Sequence, residues 1–208
     1  MMSRLLFFYL VLSVFSLTNC TSDGHSPKNG NLDKSFKAKI SKPEQAYLKQ
    51  KEKMLSNGWS EDQLRNGLFP NCYNYEPSYS KIKNQLKITV GNGTDVAIKL
   101  MRVETDQCIR FVFVNSGSTY DLKKIPEGKY YLKIAYGRDW LSKINKGKCI
   151  GKFLQNPIYQ KGLDILDFTI VRSGNSYSIP SFHLQLDVKS TGVNTFDSGH
   201  ISEKDFNL

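Results

Sequence analysis

Little in this sequence can build a metal centre. Four cysteines and three histidines are spread over 208 residues. No C-x-x-C spacing occurs, so a zinc site would need distant residues to converge. Gly147-Lys148 and Gly151-Lys152 miss the G-x-x-x-x-G-K-[ST] spacing of a phosphate loop, and no pattern implies a cofactor. No internal repeat is present. Acid is the scarce charge: 19 Asp and Glu stand against 29 Lys and Arg, a formal net charge of +10. The hydrophobic share, 39%, is too high for a disordered acidic chain. The length suffices for a buried core that does not depend on disulfides or metal.

The apolar run Leu5–Leu17 is shorter than the roughly 20 residues that span a bilayer. It follows Arg4 and has the length of a secretory h-region. The next residues, Leu17-Thr18-Asn19-Cys20, resemble the lipobox of bacterial lipoprotein signal peptides, with Asn19 where that family has Gly, Ala or Ser. The resemblance implies cleavage before Cys20, acylation of its thiol, and an envelope protein moored to the membrane by lipid. Thr21, in place of the Asp that favours inner-membrane retention, points toward the outer membrane. Loss of Arg4 with the leader leaves 28 basic residues against 19 acidic. Export makes nucleic acid an unfit partner; an anionic envelope component or a protein partner suits the charge.

The organisation expected is a signal peptide over 1–19, a lipidated flexible tether over 20–40, a helical preamble over 41–84, a β-sandwich over 85–188 and a tail over 189–208. Ser41-Lys42-Pro43-Glu44 has capping-box spacing with Pro in the first turn, and Gly58 supplies a stop. Ser60-Glu61-Asp62-Gln63 and Asn66-Gly67 repeat the start and stop signals, which predicts a second, shorter helix. From residue 85 the period changes to two. Strands are expected over 85–91, 95–103, 108–114, 118–125, 128–136, 163–172 and 177–188.

Tyr130, Leu132, Ile134 and Tyr136 share a face in this reading, as do Ile109, Phe111 and Phe113, then Leu166, Phe168 and Ile170, then Phe182, Leu184 and Leu186. Asn92-Gly93 reads as a two-residue hairpin turn. The fold class is therefore mainly β: an antiparallel β-sandwich of about seven strands with polar outer faces, preceded by two short helices. Residues 138–162 read as a long excursion.

Gly117, Tyr120, Ile125, Pro126, Gly128, Tyr130 and Leu132 resemble the carboxypeptidase regulatory-like or transthyretin-like modules, with Asn115-Ser116-Gly117 in place of the family's Asp-rich turn. That resemblance implies a small β-sandwich used for structure or binding, without catalytic residues of its own.

The basic stretch is the candidate binding patch. Arg138, Lys143, Lys146, Lys148, Lys152 and Lys161 face one acid, Asp139, and are interleaved with Trp140, Phe153 and Tyr159. Charge beside exposed aromatics binds anionic polymers, lipid head groups or glycans. The competing reading places the aromatics in the core and the lysines in solvent. An oxidising compartment suits one disulfide among Cys72, Cys108 and Cys149, and all three pairings stay open.

The leading functional expectation is a non-catalytic binding or structural module of the envelope. One alternative is an envelope hydrolase of glycan or peptide using Asp164, Asp167 or Asp187, with His183 the one histidine inside the domain. Asp164 and Asp167 differ by an odd number and so face opposite sides of a regular strand. A second alternative is an accessory subunit that pairs through an edge strand.

Overall fold

In a computed structural model, residues 40–187 and 197–208 are described. The leader, Cys20 and the rest of the tether up to 39 lie outside the described residues, as do 188–196.

The described elements are α1 (Lys42–Ser56), β1 (Ser60–Glu61), β2 (Gln85–Val90), β3 (Asp95–Arg102), β4 (Cys108–Val114), β5 (Thr119–Lys123) and β6 (Lys129–Asn145). They continue with β7 (Lys148–Gly162), β8 (Leu166–Asp167), β9 (Val171–Ser173), β10 (Ser176–Ser178), β11 (Phe182–Leu186), β12 (Ser198–His200) and α2 (Glu203–Asn207). A large sheet runs β12-β7-β6-β3-β4, with β1 and β8 also against β6. A small sheet runs β11-β2-β5, and β9 and β10 form a separate hairpin. Every described pairing is antiparallel except β11 with β2. The fold is mainly β and sandwich-like, as the period-two pattern predicts.

The inner core joins the two sheets. Tyr130, Leu132, Ile134 and Tyr136 of β6 meet Leu86 and Ile88 of β2 and Leu184 and Leu186 of β11. Leu166, Phe168 and Phe182 join it as expected. Ile109 does not share a face with Phe111 and Phe113. A bulge pairs Met101 with Cys108 and Leu100 with Arg110, leaving Ile109 as the extra residue. Ile109 enters the inner core, while Phe111 and Phe113 face the other way.

The large sheet has no polar outer face, contrary to expectation. Its far side carries a second core of Ala97, Phe111, Phe113, Ala135, Trp140, Phe153, Tyr159 and Phe206, with Leu64, Phe69, Tyr73 and Tyr75 packed against it. Residues 96–101 of β3 are accordingly all buried. The polar face belongs to the small sheet, where Thr89 Oγ1 lies 3.2 Å from Thr119 Oγ1 and 3.1 Å from His183 Nε2.

Three further expectations are corrected. The second preamble helix does not form: Ser60 and Glu61 pair with Ser142 and Leu141. A two-turn helix is marginal alone, and strand pairing beside the buried Trp59 outcompetes it. The second helix is instead α2, whose Ser202 and Asp205 form the capping box. The tail is not a tail from residue 198 on, since β12 pairs with β7 and Phe206 is fully buried. Asn92-Gly93 makes no hairpin; it carries the chain from β2 in one sheet to β3 in the other. The turn signal specifies positive φ, here 101° at Gly93, but does not specify which strands pair.

The preamble also closes a sheet edge. Gly67 N–H donates to Phe113 O (2.9 Å) and Phe113 N–H donates to Leu68 O (2.8 Å). The Tyr75 hydroxyl accepts from Phe111 N–H (2.5 Å) and donates to Phe111 O (3.3 Å). These groups satisfy the open side of β4, which would otherwise offer itself to another chain.

Candidate functional site

Residues 138–162 are the outer half of the β6–β7 hairpin, not an excursion. The register slips between Tyr136↔Ile158 and Arg138↔Gln155. The slip changes which residues of β6 point where: Ala135 and then Trp140 face the far-side core. Alternation cannot be followed across such a bulge, so the period-two pattern in the sequence ends the strand at Tyr136. Gly137 allows the close approach there, because a Cβ would collide with Phe153. Gly151 plays the same part under the ring of Trp140.

Past the bulge the sheet sorts the interleaved residues. Trp140 pairs with Phe153, and both are buried among Phe111, Phe113 and Phe206. Lys143 and Lys152 stand on the opposite face, since each differs from its aromatic neighbour by an odd number. Trp140, Phe153 and Tyr159 are thus 3%, 1% and 8% exposed. Of the two readings of this stretch, the one that places its aromatics in the core holds, and Trp140 leaves the candidate binding patch.

The lysine face has a different aromatic, one the sequence reading did not single out. Trp59 packs with Leu141 and Leu154, and the ammonium groups of Lys143 and Lys152 lie 5.0 and 4.9 Å from its ring. Trp59 sits just past the Gly58 stop signal, between the two helices expected in the preamble, so no local pattern marked it. Lys152 also pairs with Glu203 at 3.7 Å. Arg138 is set apart, its Nε–H donating to Gly93 O at 3.0 Å. The structure therefore brings Lys143, Lys146, Lys148 and Lys152 to one end of the hairpin and leaves Arg138 and Trp140 out.

That end is held firmly. Lys146 and Gly147 turn with φ of 50° and 77°. Next to the turn, Cys149 is disulfide-bonded to Cys72, with Cα atoms 5.4 Å apart. On the other strand Ser142 donates to the Asp62 carboxylate. At the bulge, Asp139 accepts from the Tyr47 hydroxyl and from Lys51 Nζ, fastening α1 to β6. Burial pulls Lys51 down, but hydrogen bonds to Glu61 and Asp139 outweigh it and hold the amine above its ordinary range.

A second lysine arrangement lies on the far side of the large sheet. Lys99 is 5% exposed and donates to Phe206 O at 2.8 Å. Its ammonium lies 5.2, 5.3 and 4.8 Å from the rings of Tyr73, Phe111 and Phe206. Burial pushes the amine down to about 8, opposed by Cys108 and reinforced by Lys133. Burial pushes the free Cys108 thiol up to about 11, which leaves it a poor nucleophile. A lone lysine inside the apolar run Val96–Met101 is the sequence signal that could have marked this position.

The groups considered for hydrolysis do not converge on one another. Asp164 accepts from Asp197 N–H, Asp167 from Thr169 N–H, and the Asp187 carboxyl packs beside Gly91. Exposed His183 lies against Thr89. Among the described residues no group of three or more His, Cys, Asp or Glu is placed to hold a metal, and no helix is long and apolar enough to cross a membrane. No family model, curated protein or solved structure matches the chain.

Proposed function

We propose that the chain is a bacterial lipoprotein, moored in the cell envelope by acyl chains on Cys20, and that its β-sandwich is a non-catalytic binding or structural module. The end of the β6–β7 hairpin makes its contact with an anionic envelope component. One observation carries this reading. No acidic residue occurs between Asp139 and Asp164, and Lys143, Lys146 and Lys148 meet at a braced turn with none of them in an ion pair among the described residues. Ile144, 67% exposed, stands among them. Each lysine near an anionic surface contributes about 1 kcal/mol, and salt weakens the attraction. Thr21, in place of the Asp that favours inner-membrane retention, makes the outer membrane the site of attachment in this reading.

The test passes the full-length protein, held in detergent, over immobilised lipopolysaccharide and immobilised anionic phospholipid. Wild-type protein is retained at low salt and released as salt rises. The triple variant K143E/K146E/K148E flows through. Equal retention of the two proteins contradicts the proposal.

A further inference from the structure

The cavity beside Lys99 shares Lys148, and no other lysine, with the hairpin contact. It has a volume of about 340 Å³ and is lined by Lys99, Tyr73, Tyr75, Cys108, Phe111 and Lys148, among others. That size falls at the small end of organic ligand sites, roughly 300–1,000 Å³. No Asp or Glu side chain lines it. The Cys72–Cys149 disulfide forms part of its wall, and exposed Gly147 and Lys148 stand at its rim. The Asn207 amide is already committed, accepting from Tyr73 and from Gly151 N–H and donating to Gly151 O and Glu203 O. It forms a fixed wall.

Lys99 is the unusual member. Its ammonium is buried without a carboxylate partner among the described residues. Phe206 O uses one of its three N–H groups, and aromatic rings surround the rest. A buried charge of this kind is costly unless a counter-charge reaches it. Lys133, directly across the strand pair, adds like charge. A second amine, Lys148, waits at the rim. The walls offer aromatic faces for stacking.

We infer that this cavity binds a small organic acid, its carboxylate paired with Lys99 and its aromatic or apolar body against Tyr73, Tyr75 and Phe111. The site is separate from the lipid anchor and from the lysines that meet the envelope, apart from Lys148 at its rim. Its failure would leave the reading above untouched, and the converse also holds.

The experiment titrates the full-length protein in detergent with 4-phenylbutyrate and with its neutral amide, read by calorimetry at about pH 6.5 and about pH 9.5. The groups facing Lys99 are Tyr73 from the preamble, Cys108 on β4, Lys133 on β6 and the α2 carbonyls, with Asp205 and Asp106 near Lys133. Tyr73 and Cys108 are held above their ordinary values, so both stay neutral across most of this range. The acid binds at least tenfold more tightly than the amide at the lower pH. The preference falls severalfold at the higher pH, where Lys99 of the free protein is largely neutral, and is absent at both in Lys99→Met. The pH comparison uses wild-type protein alone, so it decides the matter even if that variant does not fold. Equal affinity for acid and amide at the lower pH, binding of neither, or a preference undiminished at the higher pH overturns the inference.

Discussion

Lys99 and Lys133 stand directly opposite one another on β3 and β6, and each ammonium donates to a carbonyl of α2. Lys99 Nζ reaches Phe206 O and Lys133 Nζ reaches Asp205 O, both at 2.8 Å. Two like charges paired across a sheet repel one another. The carboxyl end of a helix presents free carbonyls and partial negative charge, and it accepts both. The lysine pair therefore holds a five-residue helix that could not persist by itself.

The anchor of that helix is Phe206, fully buried and in edge or tilted contact with Phe111, Trp140 and Tyr159. Phe206→Ala removes the plug from the far-side core. A loss of about 3–5 kcal/mol is expected for emptying such a site. Urea unfolding reads it as a lowered midpoint at unchanged slope. A change below about 1 kcal/mol would show that residues 198–208 are the appendage their sequence suggests.

Stability should carry the signature of the buried lysine. Lys99 is lowered to about 8 from an ordinary 10.5. Between these values the unfolded chain binds more protons than the folded one, so stability from this group rises with pH through that window. Below about pH 8 the buried charge is a standing cost. Cys108 works in the opposite sense: raised from 9.0 to about 11, it loses stabilisation as pH climbs through that range. Comparison with Lys99→Met removes the contribution of the tyrosines and most of that of Cys108, whose thiol loses only the opposing pull of Lys99 in the variant. Wild type should gain on the variant by on the order of 3 kcal/mol between about pH 7 and pH 10.5. Parallel stability curves for the two proteins would contradict the placement of Lys99.

The disulfide closes a loop with a sequence separation of 77 residues between Cys72 and Cys149. Constraint of the unfolded chain by a loop of that length corresponds to about 4 kcal/mol. The double variant Cys72→Ser/Cys149→Ser should lose stability of that order. With the Cys20 thiol acylated as proposed, native protein should offer one thiol, Cys108, that reacts slowly with a thiol reagent until denaturant is added. Three thiols titrating in unreduced, denatured protein would refute the pairing.

Alternation made the sheets legible where it was unbroken. Tyr130, Leu132, Ile134 and Tyr136 took the face their spacing predicts. It failed at the two bulges, where one extra residue sends Ile109 to the other core and hides the continuation of β6 beyond Tyr136. It also could not show that both faces of the large sheet are covered, because the cover comes from Leu64–Tyr75 and Phe206, which lie in irregular or very short elements. The candidate patch was legible as charge and misleading as chemistry. Its lysines lie at the hairpin end, but Trp140 and Phe153 are core, and the ring between the lysines is Trp59. That contact joins residues far apart in the chain, and no local pattern encodes it.

The proposed function depends on lipid on Cys20 holding this sandwich outside the cytosol. Growth of the expressing bacterium with labelled palmitate, followed by fractionation, tests it directly. The wild-type protein should carry label, lack its first nineteen residues and sediment with the envelope, while Cys20→Ala should be unlabelled. Recovery of the wild-type chain at full length, unlabelled and in the soluble cytosolic fraction would contradict it.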